Sequence, residues 1–158
     1  MRHTISCIVE NRPGAVAGIT DFFAERQINI HSLSVCETEG EETSRVTVVI
    51  ENDEKSLETL ASQLSELDHV VKVEDLDRSG FLDRELALVK IAAKAEDLPR
   101  VMQICEIMHA GVAAIGLDTM TLEMTGTEEK ISAFLRLLHS FEIRECARSG
   151  RVAVAEGD

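Results

Sequence analysis

Thr4-Ile5-Ser6-Cys7-Ile8-Val9-Glu10-Asn11-Arg12-Pro13-Gly14-Ala15-Val16 decides the fold. Ile5, Cys7 and Val9 recur at period two, which reads as a strand with one apolar face. Asn11-Arg12-Pro13-Gly14 then breaks the chain, because Pro13 fixes φ and removes a donor while Gly14 opens conformations closed to other residues. From Ala15 the period changes. Val16, Ile19 and Phe23 repeat at helical spacing as far as about Arg26. A strand handing over to a helix through a tight turn is the first half of a split βαβ unit.

Outward from that stretch, Asn29 to Val35 and Arg45 to Ile50 read as two more strands around an acidic turn bearing Gly40. Asp53 is placed to cap a helix striped by Leu57, Leu60, Ala61, Leu64 and Leu67, and Val71 with Val73 marks a closing strand. The polar run Asp77-Arg78-Ser79-Gly80 reads as a linker or an edge loop, and beyond it the order repeats. Leu86 to Ala92 is strand-like. Asp97 and Pro99 open a helix carrying Leu98, Val101, Met102 and Cys105, and Gly111 to Gly116 with Thr119 to Thr125 form a strand pair. Thr127 caps a helix bearing Ile131, Phe134, Leu135 and Leu138, and Ile143 to Val154 supplies a last strand interrupted at Ser149-Gly150. The expected class is α+β: two ferredoxin-like βαββαβ domains, each an antiparallel sheet with helices on one face. The boundaries expected are residues 1–76, a linker at 77–84, and residues 85–158. Helices on one face leave the other face and the edges uncovered, so pairing with a second copy is expected.

Composition narrows the function. The 158 residues are 44% hydrophobic, enough to bury a core, and 29 acidic against 16 basic residues leave a formal charge of -13. That charge disfavours nucleic acid and anionic membrane as partners, since both require clustered Lys and Arg. Without a long apolar run, and with Met1-Arg2-His3-Thr4 leading straight into a strand pattern, a cytoplasmic location is expected. Cys7, Cys36, Cys105 and Cys146 stand singly, which suggests neither a zinc site nor a disulfide framework. The five histidines lie far apart in sequence, and Met102, Met108, Met120 and Met124 fall on apolar faces where core packing is the default reading. No nucleophile with a base, metal-ligand cluster or phosphate cradle stands at a recognisable spacing, so no catalytic or metal residue is named. The run Glu37, Glu39, Glu41 and Glu42 lacks the alternation of a calcium loop and reads as a solvated turn.

The strand-to-helix turn is where chemistry is expected. Free N–H groups and the positive end of a helix meet there, which suits a carboxylate, and Asn11 has a donor and an acceptor for the rest of a zwitterion. Asn29 adds a second amide, while Val16 and Ile30 add apolar surface. The same Asn-x-Pro-Gly run is also ordinary turn chemistry, so local physics permits the site without establishing it.

Val9-Glu10-Asn11-Arg12-Pro13-Gly14-Ala15-Val16 resembles the effector loop of ACT domains. Asn29-Ile30-His31-Ser32-Leu33-Ser34-Val35 and Ser44-Arg45-Val46-Thr47 are similar to the small subunits of acetohydroxyacid (acetolactate) synthase. Glu85 to Ile91, Glu123-Met124-Thr125-Gly126-Thr127 with Lys130 and Phe134, and Ala147-Arg148-Ser149-Gly150 resemble that family's C-terminal domain in the same order. The resemblance implies an ACT effector-binding domain over 1–76 that pairs into a homodimer and binds a branched-chain amino acid, typically valine. Asn11, Gly14, Ala15, Val16, Asn29 and Ile30 are then the effector residues. It further implies a non-catalytic regulatory subunit that activates a separate catalytic large subunit and confers feedback inhibition. That partner would hold thiamine diphosphate, a divalent metal such as Mg and usually FAD, with no cofactor in this chain. The chain departs from the family pattern at Gly18, Gln27-Ile28, Cys36-Glu37, Ala113-Ala114-Ile115 and Glu142. The rival reading is a free-standing tandem ACT-type sensor acting on another enzyme or on transcription. The absence of an Asn-x-Pro-Gly turn after the strand ending near Ala93 weighs against it.

Overall fold

The structure, a computed structural model, describes residues 2–52 and 54–156. The Asp53 cap expected for the second helix lies outside the described residues. The chain divides into two compact units, one running through Leu82 and taking in the segment from Arg151 onward, the other spanning Asp83–Gly150.

In the first unit, β1 (Arg2–Glu10), α1 (Ala15–Glu25), β2 (Ile30–Glu37), β3 (Thr43–Glu51), α2 (Glu54–Ser65) and β4 (Val70–Asp75) follow in the expected order, and the sheet runs β2-β3-β1-β4. The antiparallel register sets Ile5 opposite Val48 and Cys7 between Val46 and Val73. These residues, with Val9 and Ile50, form one apolar face on which Ile19, Phe22 and Phe23 of α1 and Leu57, Leu60 and Leu64 of α2 pack. Period two in the strands and 3.6 in the helices thus meet at a single layer.

The opposite face is polar and buried. Thr4, Ser6 and Thr47 are 0–2% exposed, with the Arg45 guanidinium donating to Ser6 Oγ (2.8 Å) and that of Arg151 to Thr4 Oγ1 (2.6 Å). Val71 and Val73 lie in the closing strand as read, but Val71 is 62% exposed. A register shift between Ile8 and Val9 puts Val70 opposite Val9, so Val70 and Val73 face the core instead.

The expected linker is not one. Leu76–Ser79 form a helical turn, α3, with Leu76 fully buried and the Asp75 carboxylate accepting from Asp77 N–H. Asp77 Oδ2 in turn accepts from Thr4 N–H (3.0 Å) and lies 3.2 Å from His3 Nδ1, which ties the turn to β1.

The second unit repeats the connectivity with β5 (Phe81–Ala92), α4 (Leu98–Met108), β6 (Gly111–Ile115), β7 (Thr119–Gly126), α5 (Glu128–Leu137) and β8 (Ile143–Arg148), in the order β6-β7-β5-β8. Ala87, Val89, Ile91, Met120, Leu122 and Met124 face Val101, Cys105, Ile131 and Phe134. Thr127 caps α5 as read from the sequence, its hydroxyl accepting from Lys130 N–H. Met102 is half exposed rather than core. Val101 and Cys105, four residues apart, define the buried stripe, and one residue onward turns the side chain through about 100°.

Arg148 and Ser149 fix the end of β8. The guanidinium grips the buried Glu85 through two bonds of 2.5 and 2.7 Å, and Ser149 exchanges bonds with the backbone of Leu86. A last strand, β9 (Val152–Ala155), pairs with β5, and Arg151 N–H donates to Ser32 Oγ (2.8 Å). The sequence reading assigned this tail to the second domain; its bonds to Ser32 and Thr4 group it with the first unit.

Candidate functional site

The connection from β1 to α1 is built by its own residues. Gly14 precedes the helix with φ 94° and ψ -18°, a left-handed conformation that glycine adopts without Cβ strain. A Cβ there would meet nothing within 4 Å, so glycine is required by the backbone and the space above it is open. Ala15 N–H bonds back to Arg12 C=O (3.3 Å), and Gly18 N–H makes the first helical bond, to Gly14 C=O (2.9 Å). Val16 and Ala17 lie between them, where no preceding helical turn supplies a carbonyl. Among the described residues, no side chain caps this end and no acidic residue stands in its first turn. The macrodipole is left uncompensated at a solvent-facing helix start, an arrangement that favours an anion.

Asn11 is exposed, yet its carboxamide is held firmly by the β2–β3 hairpin. Nδ2 donates to Glu37 Oε1 and to Glu41 C=O, both at 3.0 Å, and Oδ1 accepts from Ser44 Oγ at 3.3 Å. Both Nδ2 partners can only accept, which sets the orientation of the amide. Asn11 N–H also donates to Glu42 C=O (2.9 Å). Arg12 is drawn aside by Glu10 (2.7 Å) and by a hydrogen bond with His69. The acidic turn read as merely solvated is therefore the frame of the loop. The sequence reading missed Glu37, Glu41, Glu42 and Ser44 as parts of it, since contacts across about thirty residues leave no local signal.

The six residues named from the sequence fall into two groups. Asn11, Gly14, Ala15 and Val16 lie together at the end of β1; Ala15 is 2% exposed, buried as a whole residue beneath the others. Asn29 is exposed just before β2, and Ile30, half-buried against the core, pairs with Ile50, which in turn pairs with His3 at the start of β1. Seven residues of strand separate His3 from Glu10, roughly 23 Å. One chain does not bring the two groups together.

A cleft of about 450 Å³ lies elsewhere in this unit, lined by Gly18, Asp21, Phe22, Glu25, Arg26, Gln63, Glu66 and Leu67. Its cation, Arg26, sits over the Phe22 ring at 3.7 Å and donates to Gln63, so the carboxylates dominate its rim, the wrong sign for an anionic ligand. Burial pushes the Cys7 thiol up to about 12 and raises that of Cys105, which makes both poor nucleophiles. Among the described residues, no group of three or more His, Cys, Asp or Glu is placed to hold a metal ion, and no helix is long and apolar enough to cross a membrane.

Comparison with known proteins covers both units. Residues 5–72 match the family profile described as the AHAS small subunit-like ACT domain, and residues 84–157 the one described as the small subunit of acetolactate synthase. A probable acetolactate synthase small subunit from Archaeoglobus fulgidus is 37% identical over 158 residues, covering 100% of this chain and 99% of the relative. The acetolactate synthase small subunit of Mycolicibacterium smegmatis is 37% identical over 155 residues, covering 98% and 91%. The crystal structure of an acetolactate synthase small subunit from Thermotoga maritima superposes with a TM-score of 0.92 at 32% identity, covering 100% of this chain and 99% of that one.

Proposed function

This chain belongs to the acetolactate synthase small-subunit family, and we propose that it is a non-catalytic regulatory subunit whose first unit senses a branched-chain amino acid, typically valine. The effector lies between two copies of that unit, with its carboxylate on the α1 N-terminus of one copy and the rest of it against Asn29 and Ile30 of the other. The observation that carries this reading is the separation of the two residue groups along the sheet.

β2 is an edge strand, and antiparallel pairing of two copies of β2 sets the start of each beside the end of its mate. Asn29 and Ile30 of one copy then neighbour Cys36 and Glu37 of the other, and Glu37 is the residue that grips Asn11. Two equivalent sites follow, since such a pair is twofold symmetric. The same pairing covers an otherwise open sheet edge.

The partner is a catalytic large subunit in the cytoplasm that carries thiamine diphosphate, a divalent metal such as Mg and usually FAD. This chain binds, couples and does no bond chemistry. It raises the partner's activity, and the effector withdraws that activation by favouring one arrangement of the regulatory dimer over another. Only differential affinity can do so, and a tenfold effect needs about 1.4 kcal/mol of coupling. The match of the second unit to the same family separates this reading from a free-standing sensor.

Calorimetric titration with valine, leucine and isoleucine, with alanine and lysine as controls, tests the proposal. Saturable binding of a branched-chain amino acid is expected. No binding, either by the chain alone or with its catalytic partner added, would sink the effector assignment.

A further inference from the structure

The cleft of about 450 Å³ in the first unit has no part in the effector loop. Gly18, Asp21, Phe22 and Glu25 stand at i, i+3, i+4 and i+7, so they share one flank of α1, and Glu66 and Leu67, just past the end of α2, line the cleft with them. Gly18 is the unusual member. It lies inside a helix, where only proline is a poorer former, yet its φ is not positive and a Cβ built on it would meet nothing within 4 Å. Neither backbone nor packing calls for glycine there; what it does is keep that flank of α1 bare.

The charge around the bare flank is one-sided. Among the described residues, the carboxylates of Asp21 and Glu66 have no hydrogen-bond or ion-pair partner. Arg26 is committed at one end, stacked over the Phe22 ring at 3.7 Å and donating to Gln63 Oε1 and to Phe22 C=O. An occupant therefore meets half-buried Leu67 along its stem and two unpaired carboxylates at its tip.

We propose that this cleft is where the chain grips its catalytic partner, by seating an arginine side chain of the large subunit. The proposal rests on the regulatory-subunit reading and goes beyond its effector site. The volume is at the small end of ligand pockets, roughly 300–1,000 Å³, which suits an anchoring side chain. Anchors at protein interfaces are enriched in Trp, Tyr and Arg, and of these only arginine answers carboxylates, with a planar fork that two of them can share. A second copy of this chain is the wrong occupant, because a twofold contact through the cleft would set Asp21 and Glu66 against their own likes in a protein of formal charge -13. The position also suits a regulator, since α1 carries the effector loop at its start and the cleft along its flank.

The full chain, its variants and the catalytic large subunit test the proposal, with affinity read by calorimetry and activation by enzyme assay. Gly18→Leu is the sharpest probe. It should raise the melting temperature by about 2–4 °C, because leucine is the better helix former, and at the same time weaken large-subunit binding at least about tenfold by filling the cleft. Asp21→Lys and Glu66→Lys should each cost about tenfold in the same affinity. Glu129→Lys, an equal charge change at an exposed residue of α5, should cost about twofold at most, and valine affinity should stay within about twofold in all four variants.

Wild-type partner affinity in Gly18→Leu overturns the docking site while leaving the regulatory subunit standing. Equal losses in the three lysine variants overturn it too, since they would report a general field, and so does a matching loss of valine affinity, which would place the cleft in the effector site. Benzoylphenylalanine at position 18 should crosslink to the large subunit; a crosslink to a second copy instead overturns the choice of occupant. If the wild type neither binds nor activates the large subunit, the regulatory reading falls and takes this proposal with it.

Discussion

The two units share strand order and helix placement, yet they enter their first helices differently. In the first, α1 follows a left-handed Gly14 with no capping side chain and no acidic residue in its first turn. In the second, α4 likewise has no capping side chain, but the chain approaches it through a 3-10 turn, Ala95–Asp97, that carries Glu96 and Asp97, and the Asp97 carboxylate accepts from Lys94 N–H at 2.9 Å. The turn before α4 carries two carboxylates; the residues just before α1, Asn11 to Gly14, carry none. On the proposed reading, the residues of one connection, not the shared fold, select the effector site.

The largest effect should come from erasing that difference. Gly14→Asp gives the first unit its own carboxylate at the helix start and forces a side chain into a left-handed residue, so valine affinity should fall about a hundredfold. Calorimetry reads the loss, and a melting curve shows whether the variant is folded. A folded variant with wild-type affinity would erase the contrast between the two connections. A smaller effect is expected at the far end of the sheet. Asn29→Ala should weaken valine binding about tenfold by removing one polar partner, with little change in stability because Asn29 is exposed. Retained affinity there would argue that the start of β2 is no part of the site. The smallest effect belongs to the second unit. Asp97→Ala should cost about 1 kcal/mol in urea unfolding by opening the turn before α4, and should leave valine affinity unmoved. A change in affinity would mean that the two helix starts are not functionally separate.

Much of this was legible in the residues. Ile5, Cys7 and Val9, and Val46, Val48 and Ile50, are core residues because alternation in a strand translates directly into a face. Thr127 is a cap because a hydroxyl before a helix has few better partners than the N–H three residues on. Met102 was misread because the angular position of the true stripe turns an apolar residue outward without changing its sequence neighbourhood. The reading of 77–84 as a linker failed through Asp77, whose polarity suggests solvent but whose carboxylate holds Thr4 N–H and contacts His3 across seventy residues.

The candidate site divides the same way. Local physics is enough to mark Asn11-Arg12-Pro13-Gly14 as a turn before a helix and to make it attractive to a carboxylate. It is not enough to find Glu37, Glu41 and Ser44 around Asn11, or to reveal that Asn29 and Ile30 stand at the other end of the sheet.

By itself, then, the sequence determined the elements, their order and the character of each turn, because periodicity, proline, glycine and capping act over a few residues. Only the tertiary structure decided which turn ends lie side by side and which lie a sheet length apart. Strand direction and register are set by hydrogen bonds to distant residues, and a site assembled across such bonds has no local signature.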